Sequence, residues 1–110
     1  MPSDKKEVAT LEDNRVRDYD LVFIINPEIA DEAIEALVNS TSQYITGKAG
    51  TITGIERWGK KKLAYPLKHF LEGYYVYVKF KMNTKWSREL ESNLQISESV
   101  LRHLLVKLGD

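Results

Sequence analysis

Between positions 57 and 88 the chain carries nine basic side chains, Arg57, Lys60, Lys61, Lys62, Lys68, Lys79, Lys81, Lys85 and Arg88, against the single acid Glu72. Guanidinium and ammonium groups at this density bind phosphate or carboxylate through charge and donated hydrogen bonds. The rest of the chain compensates. Residues 1–56 hold five basic and eleven acidic groups, residues 89–110 hold two and four, and the net charge is zero. Charge gathered in this way creates a local field that the neutral total conceals. The plain alternative is a solvated, lysine-rich face.

Bond-breaking chemistry finds little to use. There is no cysteine, hence no disulfide, thiolate metal site or cysteine nucleophile. His69 and His103 lack the spaced companions of a zinc site, and a lone histidine in a strand is ordinarily structural. Gly47, Gly50 and Gly54 spell no phosphate loop, because no Gly-Lys-Ser/Thr follows them. Ser87, Ser92, Ser97 and Ser99 have no paired base and suit turns and caps. Glu89 and Glu91 point to different sides of a helix and form no acid–base pair. No enzyme activity, cofactor, metal or small-molecule substrate is expected. No apolar run approaches the ~20 residues of a membrane span, and the first fifteen residues, MPSDKKEVATLEDNR, lack the apolar stretch of a signal peptide. A cytoplasmic protein without membrane contact is expected.

The elements that would position the basic groups follow from periodicity. At 110 residues the chain suits one domain. Residues 1–16 are polar and aperiodic and read as a flexible tail, with a single domain over 17–110. DYDLVFIIN (18–26) is a strand with Tyr19, Leu21, Phe23 and Ile25 on one face, ended by Asn26-Pro27. Residues 30–46 form a helix whose stripe is Ile34, Leu37, Val38, Thr41, Tyr44 and Ile45, with Gly47 as its stop. Residues 51–67 form a long edge strand. Gly54 and Gly59 mark bulges, and Pro66 and the lysine triplet suit an unpaired edge. GYYVYVKFKM (73–82) places Tyr74, Val76, Val78, Phe80 and Met82 inside and Tyr75, Tyr77, Lys79 and Lys81 outside, after a hairpin loop over 68–72. A short helix over 84–94 is capped by Thr84. A last strand over 100–108 carries apolar residues on both faces, so its parity is open; the preferred orientation turns Leu101, His103 and Leu105 inward because that turns Arg102 outward.

The order β-α-β-β-α-β is the ferredoxin-like split. The expected fold class is α+β, a four-stranded antiparallel sheet of order 4-1-3-2 with two helices on one face. The other face is left bare and displays Val22, Ile24, Tyr75, Tyr77, Lys79, Lys81 and Arg102. Aliphatic, tyrosine and basic side chains together make a binding surface.

Residues 17 to 107 also resemble a known family, bacterial ribosomal protein six of the small subunit. The matching pieces are Arg17-Asp18-Tyr19-Asp20 with the apolar strand ending in Asn26-Pro27, and Trp58-Gly59-Lys60-Lys61-Lys62-Leu63-Ala64-Tyr65-Pro66-Leu67. Gly73-Tyr74-Tyr75 and the closing Leu94, Ser99, Val100, Arg102 and Lys107 complete them. The resemblance implies a non-enzymatic role: binding the central domain of small-subunit ribosomal RNA beside ribosomal protein eighteen of the small subunit, with which family members form a heterodimer. It implies RNA contact through Arg17 and Arg102, and a protein-facing side with Trp58, Lys60, Lys61, Lys62 and Tyr65. Lys79 and Lys81 on the bare face are assigned to RNA as well. Tyr75 and Tyr77 are assigned to the protein partner, although a tyrosine stacked on a base would contribute ~1–3 kcal/mol. Gln95 stands where the family often carries a basic residue, and Leu101 where some members carry another.

Two rivals share the fold. A stand-alone RNA-recognition motif needs paired aromatics on the first and third strands, and Val76 and Tyr75 sit where that pattern wants an aromatic and a small residue. An acylphosphatase-like hydrolase needs a phosphate cradle after the first strand, where Asn26-Pro27-Glu28 offers an acid. Fold alone does not choose among them.

Overall fold

The computed structural model describes residues 15–108. Its elements are β1 (Val16–Ile25), α1 (Asp31–Gly47), β2 (Thr51–Leu67), β3 (Phe70–Asn83), a 3-10 turn (Thr84–Trp86), α2 (Ser87–Ile96) and β4 (Val100–Lys107). The strands form one antiparallel sheet in the order β2-β3-β1-β4, the expected 4-1-3-2 read from the other side. The part of the expected tail from 1 to 14 lies outside the described residues, while Val16 already belongs to β1.

The strand periodicity decides the core. Tyr19, Leu21, Phe23 and Ile25 of β1 and Val76, Val78, Phe80 and Met82 of β3 are buried under the helices. Ile34, Val38, Thr41 and Ile45 of α1 and Leu90 and Leu94 of α2 meet them from the other layer. Each fully buried aliphatic or aromatic side chain contributes about 1.5–3 kcal/mol. On β4 the alternation is as expected, with Arg102, Leu104 and Val106 exposed on the opposite face. Asn26 ends β1: its N–H donates to the Ser99 carbonyl (2.8 Å), and its Oδ1 accepts from the Glu28 N–H (2.8 Å).

Three local expectations need correction. Residues 70–72 are strand, not loop, because Leu67 pairs with Phe70 and the turn is only Lys68-His69. Both turn residues have positive φ (48° and 73°), the geometry of a two-residue type I′ hairpin that matches strand twist. Thr84 is not the cap of the second helix. It opens the 3-10 turn, where Asn83 Oδ1 accepts from the Lys85 N–H (3.0 Å), and α2 starts three residues later than expected. Gly47 is still helical. The stop is a Schellman motif in which Ala49 N–H donates to the Thr46 carbonyl and Gly50 N–H to the Ile45 carbonyl, with Ala49 itself at φ 63°.

The hairpin of β2 and β3 outreaches its neighbours. β1 pairs with β3 only from Tyr74 to Asn83, so residues 60–73 form a two-stranded arm beyond the rest of the sheet. Register shifts near Gly54 and Gly59 bend β2 as expected, and Gly59 has the positive φ (82°) that its bulge requires.

Candidate functional site

The arm folds back over the bare side of the sheet. Its hinge is Gly73, which is buried against Ile24 of β1; a Cβ there would overlap the Ile24 Cγ2 atom. Leu63, Tyr65 and Leu67 descend from the arm towards Val22 and Ile24 of β1, Tyr75 of β3 and Leu104 of β4. Between them lies an open, apolar-walled cleft of about 250 Å³. Arg102 closes one side by donating from a guanidinium nitrogen to the Tyr65 hydroxyl. Tyr65 itself remains 56% exposed, so the cleft is accessible.

Beside the cleft stands an aromatic ladder. The Trp58 ring stacks on Tyr77 at 5.4 Å and on Tyr75 at 6.5 Å between centroids. Lys61 Nζ lies 5.5 Å from the Trp58 ring, a cation–π contact. Trp58 Nε1 donates to Glu56 (2.8 Å), and the Tyr77 hydroxyl donates to Asp20 Oδ1 (2.8 Å). That bond, with burial and the charges of Asp20 and Glu56 added, holds the Tyr77 hydroxyl above the ordinary phenol range, because the carboxylate accepts only from the protonated phenol.

The basic run divides between the faces. The register puts Lys61 on the cleft side and Lys60 and Lys62 on the reverse, where Lys60 faces Tyr74 and Lys62 faces Glu72; all three are exposed. Arg57 is engaged elsewhere: its Nε and terminal amine donate to the two Glu35 oxygens at 2.6 and 2.7 Å, tying β2 to α1. This two-pronged contact holds the Glu35 carboxyl below its usual range. Lys79 and Lys81 lie on the bare face directly opposite Asp20 and Asp18 of β1, so their field is partly offset.

The structure therefore gathers Trp58, Lys61, Tyr65, Tyr75, Tyr77 and Arg102 around one surface, with Lys79 and Lys81 along the strand from it. Arg17 is not part of that surface. It shares the helix-side face with Tyr19, and it lies seven positions from Ile24, the β1 partner of Arg102, a span of roughly 23 Å. Sequence reading missed Asp20 as an acceptor and Arg57 as a structural residue. The first depends on strand register and the second on how α1 packs against β2, neither of which composition reveals. Among the described residues no group of His, Cys, Asp or Glu could hold a metal, and no helix is long and apolar enough to cross a membrane.

A four-stranded antiparallel sheet with two helices on one side and a cationic, aromatic surface on the other defines a ferredoxin-like binding domain. Comparison with known proteins specifies it. The family described as Ribosomal protein S6 matches residues 18–107. The small ribosomal subunit protein bS6 of Moorella thermoacetica is 42% identical over 95 residues, 86% of this chain and 97% of that one. Its counterpart in Clostridioides difficile is 40% identical, covering 83% and 98% of the two chains. The crystal structure of 30S ribosomal protein S6 from Thermotoga maritima superposes with a TM-score of 0.80 at 30% identity, covering 86% of this chain and 89% of that one. The chain belongs to the ribosomal protein S6 family: it is a structural protein of the bacterial small ribosomal subunit, cytoplasmic with the ribosome, and not an enzyme.

Proposed function

We propose that the chain binds the central domain of small-subunit ribosomal RNA cooperatively with ribosomal protein eighteen of the small subunit, as a heterodimer. The observation that supports this most is the bare sheet face, where an apolar cleft and an aromatic ladder adjoin exposed cations on a chain with no net charge. RNA affinity grows with the number of phosphates neutralised. A neutral chain gains from a basic partner that supplies the remaining charge. In this reading the protein partner meets Trp58, Lys60, Lys61, Lys62, Tyr65, Tyr75 and Tyr77, with an apolar side chain seated in the cleft. RNA meets Arg17, Arg102, Lys79 and Lys81, whose contacts add salt-dependent affinity and set orientation rather than sequence choice. The test is a titration of a central-domain RNA fragment with this chain, alone and with the partner protein, at two salt concentrations. Tight binding only with both proteins present is the expected result. Tight, partner-independent binding would instead favour a self-sufficient RNA-binding domain, and no binding in either case would remove the proposal.

A further inference from the structure

The bond between Arg102 and Tyr65 joins strands that the sheet keeps apart. β2 and β4 are its two edges, with β3 and β1 between them. Three inter-strand spacings, roughly 14 Å, separate such edges. The link exists because the arm folds back over the bare face beyond Gly73 and carries Tyr65 to the guanidinium. Both residues line the cleft, with Ile24, Tyr75 and Leu104 among its other walls, so their bond is a strap across it. Among the described residues it is the one side-chain hydrogen bond between residues 60–73 and β1 or β4. The arm's other hold on the sheet face is apolar, through the half-buried Leu63 and Leu67.

The strap holds Arg102 with a weak acceptor. The position opposite it on β1 is the apolar Ile24, so no carboxylate faces it as Asp20 faces Lys79. Its acceptor is a hydroxyl. A phosphate takes a guanidinium in two charge-assisted bonds and is the stronger acceptor.

We propose that the Arg102–Tyr65 strap couples the two partners: a phosphate of the RNA that takes Arg102 releases Tyr65 and the arm, and a partner side chain that enters the cleft displaces Tyr65 and releases Arg102. The inference rests on the RNA and partner reading above and gives its cooperativity a mechanism. With the strap closed, either ligand alone must break it. The second ligand finds it already open. The coupling is reciprocal, and the strength of the strap sets its upper bound. One hydrogen bond at an exposed site corresponds to about fivefold.

The test uses the full-length chain, ribosomal protein eighteen of the small subunit and the central-domain RNA fragment. Affinity for the protein is measured without RNA and with saturating RNA, and the ratio is the coupling factor. RNA affinity of the chain alone is measured at low salt, where phosphate contacts are strongest. Tyr65→Phe keeps the ring and removes the hydroxyl. Its coupling factor is expected to fall about fivefold, while the lone chain binds RNA about fivefold more tightly. A side chain that merely supported the fold would weaken binding when altered, not strengthen it. In an Arg102→Gln background the same substitution should change neither quantity, because the strap is already absent. A cooperative parent beside a Tyr65→Phe chain with the same coupling factor overturns the strap alone. A parent without cooperativity overturns the cooperative reading and the strap with it. Weaker RNA binding by the Tyr65→Phe chain would make the hydroxyl a support that presents Arg102 to phosphate, and also overturns the proposal. An effect of Tyr65→Phe that persists in the absence of Arg102 does the same.

Discussion

Single side chains couple this molecule to pH on the alkaline side. Tyr19 is buried and Tyr77 donates to Asp20, and each cause holds its phenol above the ordinary range. Tyr44, desolvated and donating to Glu89 at 2.6 Å, is raised further still. In all three the folded state favours the protonated form. Their contribution to stability is therefore complete below the unfolded phenol value of about 10 and is lost as pH rises through the higher folded values. A thermal midpoint that is steady from pH 7 to 9 and falls above pH 10 is the expected result. Tyr77→Phe should make that fall shallower, since it removes one titrating phenol; an identical pH profile would show that the Asp20 bond carries no linkage. Tyr77 was legible in the sequence as an outward position between Val76 and Val78. Its acceptor was not, because Asp20 lies fifty-seven residues away and is placed opposite only by the β1–β3 register.

At the scale of elements, the end of α1 holds a residue that does not suit its backbone. Ala49 sits at φ 63°, where a Cβ crowds the chain and glycine does not. Ala49→Gly is expected to stabilise the protein by about 0.5–1 kcal/mol, raising the midpoint by a few degrees. Chemical and thermal denaturation measure it, and a lower midpoint would mean that the added freedom of glycine in the unfolded chain outweighs the relief. The same mismatch explains where the sequence misled. Gly47 looked like the helix stop because glycine usually marks that position, and the hairpin loop was drawn too long, over 68–72, because type I′ turns are usually announced by Asn-Gly and not by Lys68-His69. Strands were readable, and so were the core faces of β1 and β3, where period-two alternation follows burial against the helices; β4, apolar on both faces, left its inward side open. The fold-back of the arm was hidden in one residue, Gly73, whose missing side chain lets β3 pass over Ile24.

Across the whole molecule, the cleft under the arm and Arg17 at the start of β1 occupy opposite ends and opposite faces of one sheet. Sites this far apart contribute almost independently. Tyr65 belongs only to the first. Its ring borders the apolar cleft and its hydroxyl accepts from Arg102, yet more than half of its surface is exposed, so little of the core depends on it. Tyr65→Ala should therefore leave the thermal midpoint within a few degrees of the parent. It should weaken binding of ribosomal protein eighteen about tenfold, as loss of an aromatic anchor at an interface commonly does. The RNA affinity of the chain measured alone should not fall, because Arg17, Arg102, Lys79 and Lys81 all keep their charge. Calorimetry on the heterodimer and a filter-binding titration of the lone chain separate the two effects. If both affinities fell together, RNA and protein would have to share the surface around the Trp58 ladder.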